Sequence, residues 1–313
     1  MRAVVTGVAG FIGSHLAERL VKEGYDVVGV DSFTPYYDLS VKKSNVAELG
    51  RSPRFRLIGN DLLKIDLDTL LSDVDLVFHL AAQAGVRASW GHHFRDYSRF
   101  NIEATQELLE ASRDKGLAKF VYASSSSVYG EVKELPVTEE HPLNPISPYG
   151  VTKLAAEHLC GIYAKDFGVP VVSLRFFTVF GPRQRPDMAI HKFIAAALRG
   201  QPLEVFGDGT QTRDFTFVHD VVEACMLAAT RNSGNVPYNI GGGSRITVND
   251  LIQLLEKVLD TSIETQFIEK QRGDVMHTHS NCEKARTDFG YSPKYTLEEG
   301  LFEEAAWYRR QNS

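Results

Sequence analysis

Several features that mark particular classes of protein are scarce or missing in this chain of 313 residues. Only three cysteines occur, Cys160, Cys225 and Cys282, and because they are scattered and odd in number we expect neither a disulfide framework nor a zinc site. No run of about 18 apolar residues is available to span a membrane. The formal net charge of -6 at pH 7 lacks the basic excess of a nucleic-acid-binding surface. These absences favour a cytoplasmic protein that binds no metal, nucleic acid or membrane.

Short apolar segments alternate with segments of helical periodicity along the N-terminal part of the chain. Predicted strands are residues 3–6, 26–30, 54–58, 76–79, 119–124 and 171–176, and predicted helices are residues 11–23, 101–113, 149–167 and, later in the chain, 218–230. Strands that alternate with helices pair in parallel through right-handed crossovers. The expected fold is therefore α/β, with a Rossmann-like doubly wound parallel sheet.

Three glycines in a G-x-x-G-x-x-G pattern, Gly7, Gly10 and Gly13, stand between the first predicted strand and the first predicted helix. The first glycine permits a tight turn, the second lets a pyrophosphate approach the backbone, and the third allows the helix to pack closely on the strand. Phe11 and Ile12 open a helix whose free N–H groups and dipole favour phosphate. The loop therefore predicts a bound dinucleotide.

Two acidic residues that follow later strands refine this prediction. Asp31 closes the second strand, where its carboxylate can accept a hydrogen bond from a ribose 2′-hydroxyl and would repel a 2′-phosphate. We therefore expect NAD rather than NADP. Asp61 follows the third strand, where it can meet the amino group of an adenine, although Asn60-Asp61 also suits a turn.

Tyr149 and Lys153 lie one turn apart on the same face of a predicted helix. A tyrosine with its ordinary pKa of about 10 is a poor base, and lowering that pKa to about 7 requires about 4 kcal/mol of stabilisation of the phenolate. A neighbouring ammonium can supply part of that stabilisation. The strand that ends at Ser124 delivers further hydroxyls, among them Ser125, that can hold a reacting oxygen. Next to a nucleotide loop, this constellation predicts the oxidation of a substrate hydroxyl.

These motifs make the chain resemble the extended short-chain dehydrogenases/reductases, and within them the NAD-dependent nucleotide-sugar epimerases and dehydratases. The similarity spans nearly the whole chain and includes Leu80-Ala81-Ala82-Gln83, Asn101, residues 175–182 and Arg213-Asp214-Phe215. It implies a bound NAD that is reduced and reoxidised within one turnover, with Ser125, Tyr149 and Lys153 as catalytic residues. The cofactor-binding residues that it implies are Gly7, Gly10, Phe11, Ile12, Gly13, Asp31, Ser32, Phe33, Asp61, Leu62, Leu80, Ala81, Ala82, Gln83, Asn101, Tyr149 and Lys153.

The same resemblance implies a site for a sugar nucleotide, in which Arg213 is similar to the family's pyrophosphate-binding arginine. The substrate-binding residues that it implies are Gly85, Val86, Arg87, Ser125, Ser126, Ser127, Tyr149, Thr178, Arg185, His191, Lys192, Phe206, Arg213, Gln271 and Arg272. Prolines and glycines interrupt the regular pattern beyond Gly181. We therefore expect an NAD-binding Rossmann domain at residues 1–180, with a returning segment near residues 214–235, and a smaller mixed α/β lobe for the nucleotide sugar at residues 181–313.

Two positions beside Ser125 separate the reactions found in this family. At these two positions the dehydratases have a pattern that resembles Asp-Glu, and UDP-glucuronate decarboxylases carry a glutamate. This chain has Ser126 and Ser127 instead. UDP-galactose 4-epimerases carry asparagine in a Phe-Asn motif, whereas this chain has Phe177-Thr178. The chain most resembles the UDP-glucuronate 4-epimerase branch, with which it also shares Gly85-Val86-Arg87 and Arg185-Pro186-Asp187-Met188-Ala189.

This branch interconverts UDP-glucuronate and UDP-galacturonate by transient oxidation at C4, rotation of the 4-keto sugar and re-reduction. Because a 4-keto acid loses CO₂ easily, we expect the hydroxyls of Ser126, Ser127 and Thr178 to hold the carboxylate, with Arg185 or Arg87 adding charge nearby. A UDP-glucuronate decarboxylase, a 4-epimerase of UDP-glucose or UDP-N-acetylhexosamine, and a non-catalytic NAD-binding protein remain alternatives. A homodimer through the helices near residues 98–114 and 149–167, common in this family, is also expected.

Overall fold

The structure is a computed structural model that describes residues 1–231, 233–269 and 271–312. Its strands are β1 (Arg2–Thr6), β2 (Asp26–Val30), β3 (Phe55–Ile58), β4 (Leu76–His79), β5 (Lys119–Ser125), β6 (Val171–Phe176), β7 (Thr178–Phe180), β8 (Leu203–Phe206), β9 (Thr212–Phe217), β10 (Pro237–Ile240), β11 (Ser244–Thr247) and β12 (Thr265–Ile268). Its α-helices are α1 (Phe11–Lys22), α2 (Leu39–Ala47), α3 (Leu67–Leu70), α4 (Phe94–Tyr97), α5 (Ala104–Ala111), α6 (Pro148–Phe167), α7 (Ala189–Leu198), α8 (Val218–Thr230), α9 (Val248–Leu259), α10 (Glu283–Phe289) and α11 (Leu297–Asn312).

Seven parallel strands form the main sheet, in the order β10-β6-β5-β4-β1-β2-β3. After β1 the chain builds outward through β2 and β3, and then returns to the other side of β1 with β4. The loops that leave β1 and β4 therefore diverge, and a crevice opens at the carboxyl ends of these two strands. The predicted α/β fold with a doubly wound parallel sheet is confirmed.

Both faces of this sheet are covered, as the continuous apolar strands require. Neighbouring residues of β1 point to opposite sides, so that Val4 packs in the cluster with Leu108 and Tyr163, whereas Val5 packs in the cluster with Leu16 and Val221. Helices α5 and α6 thus cover one face, and helices α1 and α8 cover the other. Both β1 residues are fully buried.

Helix α6 begins and ends where the sequence predicts. The Ser147 side chain accepts a hydrogen bond from the backbone N–H of Gly150 at 3.1 Å, and Pro148 occupies the first turn. Gly168 ends the helix in the left-handed conformation, with φ 68°. These local signals place Tyr149 in the first turn of α6, directly beside the end of β5.

The prediction of a single helix at residues 101–113 is wrong at its start. Helix α4 begins at Phe94, a wide π-helical segment spans Ser98–Glu103, and α5 follows and ends at Ala111. The cause is a tertiary contact, since Asn101 lies in the wide turn and pairs with the backbone of Gln83. Wide turns of this kind frequently occur at functional sites.

The C-terminal part of the chain contributes to more than one layer. Strand β10 extends the main sheet beside β6, so the segment that returns to this sheet continues beyond residue 235 to Ile240. Strands β11, β9 and β7 form a three-stranded sheet, and β12 pairs with β8. Because β7 ends at Phe180, within the predicted first domain, and pairs with β9 of the later part, the two parts of the chain interlock near the site.

The glycine loop packs too closely to accept larger side chains. Gly7 has φ 70°, and a Cβ atom there would lie 2.8 Å from the backbone nitrogen of Ala81. A Cβ on Gly13 would overlap the carbonyl oxygen of Gly7. These two glycines therefore let α1 and the β4 loop close around the end of β1, as their positions predict.

We expect Gly13→Ala to lower the free energy of unfolding by about 1–3 kcal/mol, because the added methyl group must displace the loop backbone. Gly50→Ala is the matched control, since nothing lies within 4 Å of the position of its Cβ. Denaturant unfolding of the two variants beside the native chain tests this expectation. Equal midpoints for both variants would show that the loop yields without cost.

Candidate active site

A first cavity opens at the carboxyl ends of β1, β2 and β4, where the crevice lies. Its lining residues are Gly7, Val30, Asp31, Ser32, Thr34, Lys42, Asn60, Asp61, Leu62, Ala81, Ala82, Gln83, Phe100 and Ala104. Eight of these were predicted as cofactor contacts, namely Gly7, Asp31, Ser32, Asp61, Leu62, Ala81, Ala82 and Gln83. The remaining predicted glycine-loop residues, Gly10 to Gly13, lead from this cavity into the first turn of α1.

Asp31 is held rigidly at the wall of the first cavity. One of its carboxylate oxygens accepts a hydrogen bond from the backbone N–H of Ala9 at 3.1 Å, and the other accepts one from the N–H of Phe33 at 2.8 Å. Lys42 lies 3.5 Å from the same carboxylate. The side chain is buried, which leaves its oxygens fixed in direction and suited to accept from a hydroxyl.

Asp61 and Asn101 are engaged with other parts of the protein. Asp61 accepts from the N–H of Leu63 at 3.0 Å and from Arg99 at 2.5 Å. Its predicted contact with an adenine therefore depends on a carboxylate that already has two partners. Asn101 accepts from the N–H of Gln83 at 2.7 Å and donates to the Gln83 carbonyl at 3.0 Å, so that it fixes the loop after β4.

The link from Asn101 continues into α6, the helix that carries Tyr149 and Lys153. Its amide donates to the hydroxyl of Thr152 at 2.9 Å, and this hydroxyl donates to the carbonyl oxygen of Tyr149 at 2.8 Å. The Tyr149 ring meets the buried Tyr97 edge-to-face, with ring centroids 6.2 Å apart. The loop after β4 and the first turn of α6 are therefore held at a fixed separation.

Burial raises the pKa of the Tyr149 phenol above its ordinary value. Two neighbours oppose this rise, the hydroxyl of Ser125 through a hydrogen bond and the guanidinium of Arg185 through its charge. The sequence predicts that Lys153 supplies positive charge that lowers this pKa. The structure adds Arg185 as a second source of such charge, and Ser125 lies beside the phenol, where it can hold the same reacting oxygen.

Lys153 is buried below Tyr149 and turned toward the sheet. Its ammonium donates to the carbonyl oxygen of Ala123 at 2.6 Å and to the hydroxyl of Tyr122 at 3.4 Å. Burial lowers the pKa of Lys153 to about 8, and the negative charge of Glu157 opposes this lowering. The ammonium therefore keeps its proton at neutral pH and loses it as the pH rises through about 8.

A buried polar network ties β5, β6 and α6 together behind these residues. Glu157, one turn after Lys153, accepts from the Ser124 hydroxyl at 2.6 Å and from Arg175, whose nearest nitrogen is 2.5 Å away. Arg175 also donates to the hydroxyl of Tyr129 at 2.7 Å. Because Ser124 precedes Ser125 and Glu157 follows Lys153, this network fixes the two halves of the predicted catalytic group relative to each other.

A second cavity lies beyond the loop after β4, against the end of β5 and the second sheet. Its lining residues are Val86, Ser126, Ser127, Tyr129, Gly130, Val132, Val137, Ile146, Ser147, Phe177, Thr178, Arg213, Gly273, Asp274, Val275, His277 and Thr278. The structure thus brings together five of the predicted substrate contacts, Val86, Ser126, Ser127, Thr178 and Arg213. Three of these present hydroxyls, and the lining residues that directly follow β5 or belong to β7, namely Ser126, Ser127 and Thr178, are uncharged.

Arginines gather around Asp274 at this cavity. Arg87 donates to Asp274 at 2.7 Å, and its guanidinium stacks over the ring of Phe206, 4.0 Å from the centroid. Arg213 donates to the carbonyl oxygens of Thr212 and Met276 at 2.9 and 3.2 Å, and burial lowers its pKa. Planar guanidinium groups of this kind suit a diphosphate, and the Phe206 ring adds an apolar surface beside them.

The other predicted substrate contacts lie outside the residues that line this cavity. Arg185 is paired with Asp187 through two hydrogen bonds of 2.9 and 3.0 Å, and its charge acts on Tyr149 from that position. The ring of His191 packs against Trp307 and Tyr308 of α11. Lys192, Gln271 and Arg272 are exposed, and Gly85 lies beside Tyr36 and Tyr97.

Several lining residues were not predicted. Lys42 and Thr34 reach the first cavity from the segment after β2, and Asp274, His277 and Thr278 reach the second from the segment before α10. For Asp274 a signal was present, since it follows the predicted Gln271 and Arg272 by a few residues. For Lys42 no such signal was present, because no helix is predicted between the second and third strands.

Comparison with known proteins identifies the group to which this arrangement belongs. The sequence profile of the NAD dependent epimerase/dehydratase family matches residues 3–241. The chain belongs to this family. It is 46% identical over 310 residues to a Bacillus subtilis protein named uncharacterized UDP-glucose epimerase YtcB, with 98% of each chain covered. It is 37% identical over 309 residues to a UDP-glucuronate 4-epimerase of Thermodesulfobacterium geofontis, with 97% of this chain and 95% of that one covered.

Solved structures resemble this member of the epimerase/dehydratase family along its whole length. UDP-glucuronic acid 4-epimerase from Bacillus cereus, in complex with UDP-glucuronic acid and NAD, is 45% identical and superposes with a TM-score of 0.97 over 99% of this chain and 100% of that one. Within the described ranges, no cluster of three or more His, Cys, Asp or Glu side chains is arranged to hold a metal ion. Over those same ranges, no helix combines the length and apolarity needed to cross a bilayer.

We expect Glu157→Gln to lower the pKa of Lys153 below its value of about 8, because the negative charge that favours the ammonium is removed. Carbon-13 NMR titration of labelled lysines measures this pKa, and Lys153→Arg identifies the signal by its loss. Ser124→Ala is the matched control, since it removes a hydrogen bond to Glu157 and leaves the charge. An unchanged titration in Glu157→Gln would show that Glu157 has no electrostatic effect on Lys153.

Proposed function

We propose that this chain is an NAD-dependent UDP-glucuronate 4-epimerase, an isomerase that interconverts UDP-glucuronate and UDP-galacturonate. The observation that carries the proposal is that Ser125 lies beside the Tyr149 phenol and is followed directly by Ser126 and Ser127, which line the second cavity together with Thr178. The likeness to the Bacillus cereus enzyme supports it. In this assignment residues 1–180, with the returning segment, hold the cofactor, and residues 181–313 provide most of the nucleotide-sugar lobe.

The first cavity fits NAD. The cradle formed by Gly7 and Gly13 leaves no room for a Cβ atom, which is the condition for a pyrophosphate to reach the N-terminus of α1. Asp31 would accept from the hydroxyls of the adenosine ribose, and Lys153 would donate to those of the nicotinamide ribose. When bound, NAD supplies the group that oxidises C4 of the sugar and later reduces it again.

Proton transfer at the sugar is the task of Tyr149. Its phenolate takes the proton of the 4-hydroxyl as that carbon is oxidised, and returns it to the same oxygen when the carbon is reduced. Ser125 donates to this oxygen and keeps it beside the phenol in both directions. Because burial raises the pKa of Tyr149, the positive charges of Arg185 and of the oxidised cofactor are needed to make the phenolate available.

The carboxylate of the substrate distinguishes this reaction from a simple epimerisation. In the 4-keto intermediate the carboxylate is beta to a ketone, and it leaves as CO₂ when the breaking bond aligns with the carbonyl. Ser126, Ser127 and Thr178 offer three short hydroxyl donors to hold the carboxylate out of that alignment. Arg185 stays paired with Asp187. The substrate carboxylate is therefore held by neutral hydroxyl groups, which allow the keto sugar to turn.

Incubation of the purified protein with UDP-glucuronate, without added NAD, tests the proposed function. We expect NMR to show UDP-galacturonate without UDP-pentose and without CO₂ release, because a retained cofactor recycles and the carboxylate is held. The formation of UDP-pentose would replace the proposal by a UDP-glucuronate decarboxylase. A tightly held NAD without turnover of any UDP-sugar would indicate a non-catalytic NAD-binding protein.

A second candidate is a 4-epimerase of neutral UDP-sugars, which the name of the Bacillus subtilis relative favours. The discriminating measurement is the ratio of kcat/KM for UDP-glucuronate to that for UDP-glucose. Hydroxyls that are positioned for a carboxylate lose a charge-assisted hydrogen bond when the neutral sugar binds. A preference for UDP-glucose would therefore contradict the assigned role of Ser126, Ser127 and Thr178.

We expect Thr178→Ala to lower kcat/KM for UDP-glucuronate by about 10- to 100-fold, the effect of losing a hydrogen bond to a charged group, and to release CO₂ in part of the turnovers. Thr178→Ser is the matched control, because it keeps the hydroxyl and removes only a methyl group. Product analysis by NMR and steady-state kinetics measure both effects. If Thr178→Ala and Ser127→Ala leave both affinity and products unchanged, these hydroxyls do not hold the carboxylate.

We also propose that the protein is a cytoplasmic homodimer that pairs through α5 and α6. The two helices are neighbours, since Tyr163 of α6 donates to Glu110 of α5 at 2.6 Å. Val151 and Ile162 share one outer face of α6 and are 47% and 50% exposed, more than such side chains usually are in an unpaired helix. The three cysteines are free, in keeping with a reducing compartment.

We expect Ile162→Glu to convert the dimer to a species with the mass of one chain, 34.9 kDa, because the new carboxylate would be buried against its own copy. Light scattering after gel filtration measures the mass. Phe302→Glu on α11 is the matched control, since Phe302 is 63% exposed and lies on a different helix. A dimer that persists in Ile162→Glu would exclude this face of α6 as the interface.

A further inference from the structure

An ion pair is buried in the wall of the first cavity, where the adenosine ribose of the proposed cofactor would lie. Its members are Asp31, at the end of β2, and Lys42, from α2, with 3.5 Å between the ammonium and the carboxylate. The side chains are only 6% and 9% exposed. Both residues line the cavity, so the pair faces a ligand rather than bulk water.

We infer that Lys42 is a specificity-determining residue of the cofactor site. In the native chain its ammonium neutralises Asp31, and the preference for NAD over NADP is a property of this pair rather than of Asp31 alone. Without the carboxylate of Asp31, the same ammonium becomes a ligand for a 2′-phosphate. The inference rests on the proposed NAD-dependent function.

Lys42 is fixed in place by groups on the segment between β2 and α2. Besides Asp31, its ammonium donates to the hydroxyl of Thr34 at 3.3 Å and lies 5.4 Å from the centre of the Tyr37 ring. Asp38 caps the start of α2 through the N–H of Ser40. The lysine is therefore presented to the cavity by a short, anchored helix, and its position does not depend on Asp31 alone.

Asp31 has little capacity for a second anion. Its two oxygens already accept from the N–H groups of Ala9 and Phe33, and these bonds fix the carboxylate at the cavity wall. A ribose hydroxyl can donate to it, whereas a 2′-phosphate would bring close to two further negative charges against it. Lys42 offsets one charge only, which leaves the phosphate without net attraction.

The balance between repulsion by Asp31 and attraction by Lys42 changes when the Asp31 carboxylate is removed. In Asp31→Ser the carboxylate is replaced by a short hydroxyl, which leaves space at the cavity wall and a buried ammonium without its counter-ion. A dianionic phosphate is the ligand that such a group binds best. The sequence alone predicts only the repulsive half of this arrangement, because Lys42 is eleven residues beyond Asp31.

The test is a competition between the two cofactors for the intact protein. Each purified protein is incubated with NAD⁺ and NADP⁺ at equal concentration until the bound ratio is constant, freed of unbound nucleotide by gel filtration, and denatured for mass-spectrometric quantification. We expect Asp31→Ser to raise the bound NADP-to-NAD ratio by about tenfold or more over the native chain, the effect of gaining a charged hydrogen bond.

Two double variants of equal net charge isolate the role of Lys42. Asp31→Ser/Lys42→Met should lose most of the gain in NADP binding, whereas Asp31→Ser/Lys43→Met should keep it, because Lys43 is an exposed neighbour on the same helix. Equal ratios in the two double variants would overturn the inference. So would an Asp31→Ser protein that keeps the native ratio while still binding NAD.

Asp31→Asn provides a second test if Asp31→Ser fails to fold, since it removes the charge and keeps the size of the side chain. The same comparison of Lys42→Met and Lys43→Met applies in that background. Failure of the proposed function has a different signature. A native protein that takes up neither nucleotide would contradict both proposals, whereas native NAD binding without turnover of a UDP-sugar would contradict only the proposed reaction.

Discussion

The buried ion pair between Glu157 and Arg175 is the interaction on which the arrangement of the predicted catalytic residues depends. Their side chains are 7% and 2% exposed, and together they join helix α6 to strand β6. Ser124 and Tyr129 complete the hydrogen bonds of the pair, which brings the end of β5 into the same network. A buried pair of this kind is weak evidence for stability, but removing one member leaves an uncompensated charge. In this chain the pair serves to hold α6, β6 and the end of β5 in a fixed arrangement.

Ionic groups around the two cavities follow a common rule. Lys42, Arg99, Arg185 and Arg87 are each paired with an aspartate, respectively Asp31, Asp61, Asp187 and Asp274. Arg213 instead donates to backbone carbonyls. A chain with net charge -6 thus surrounds a site for two anionic ligands with cations that are largely neutralised in advance. Such pairing disfavours adventitious anions, because a ligand must offer better geometry than the aspartate it competes with.

Local signals accounted for much of the fold and for the centre of the candidate site. The glycine loop, the Ser147-Pro148 start of α6 and its Gly168 end all act within a few residues, and each was readable from the sequence. The wide turn around Asn101 could not be predicted from the sequence, because it depends on a contact with Gln83 in a different loop. For the same reason the sequence could not assign the charge beside Tyr149 to Arg185 or find Lys42 in the cofactor cavity.

The chain of contacts from Gln83 through Asn101 and Thr152 to Tyr149 has a consequence for how such a protein diversifies. It joins the loop after β4, which contributes Gln83 to the first cavity and Val86 to the second, to Tyr149, the residue proposed to transfer the proton. Much of the remaining wall of the second cavity comes from residues 130–146 and 273–278, which lie outside that chain of contacts. Insertions and substitutions in those segments can reshape the pocket while the chemical machinery keeps its alignment. Under the proposed function, a change in those segments would alter which sugar fits the pocket without moving Tyr149.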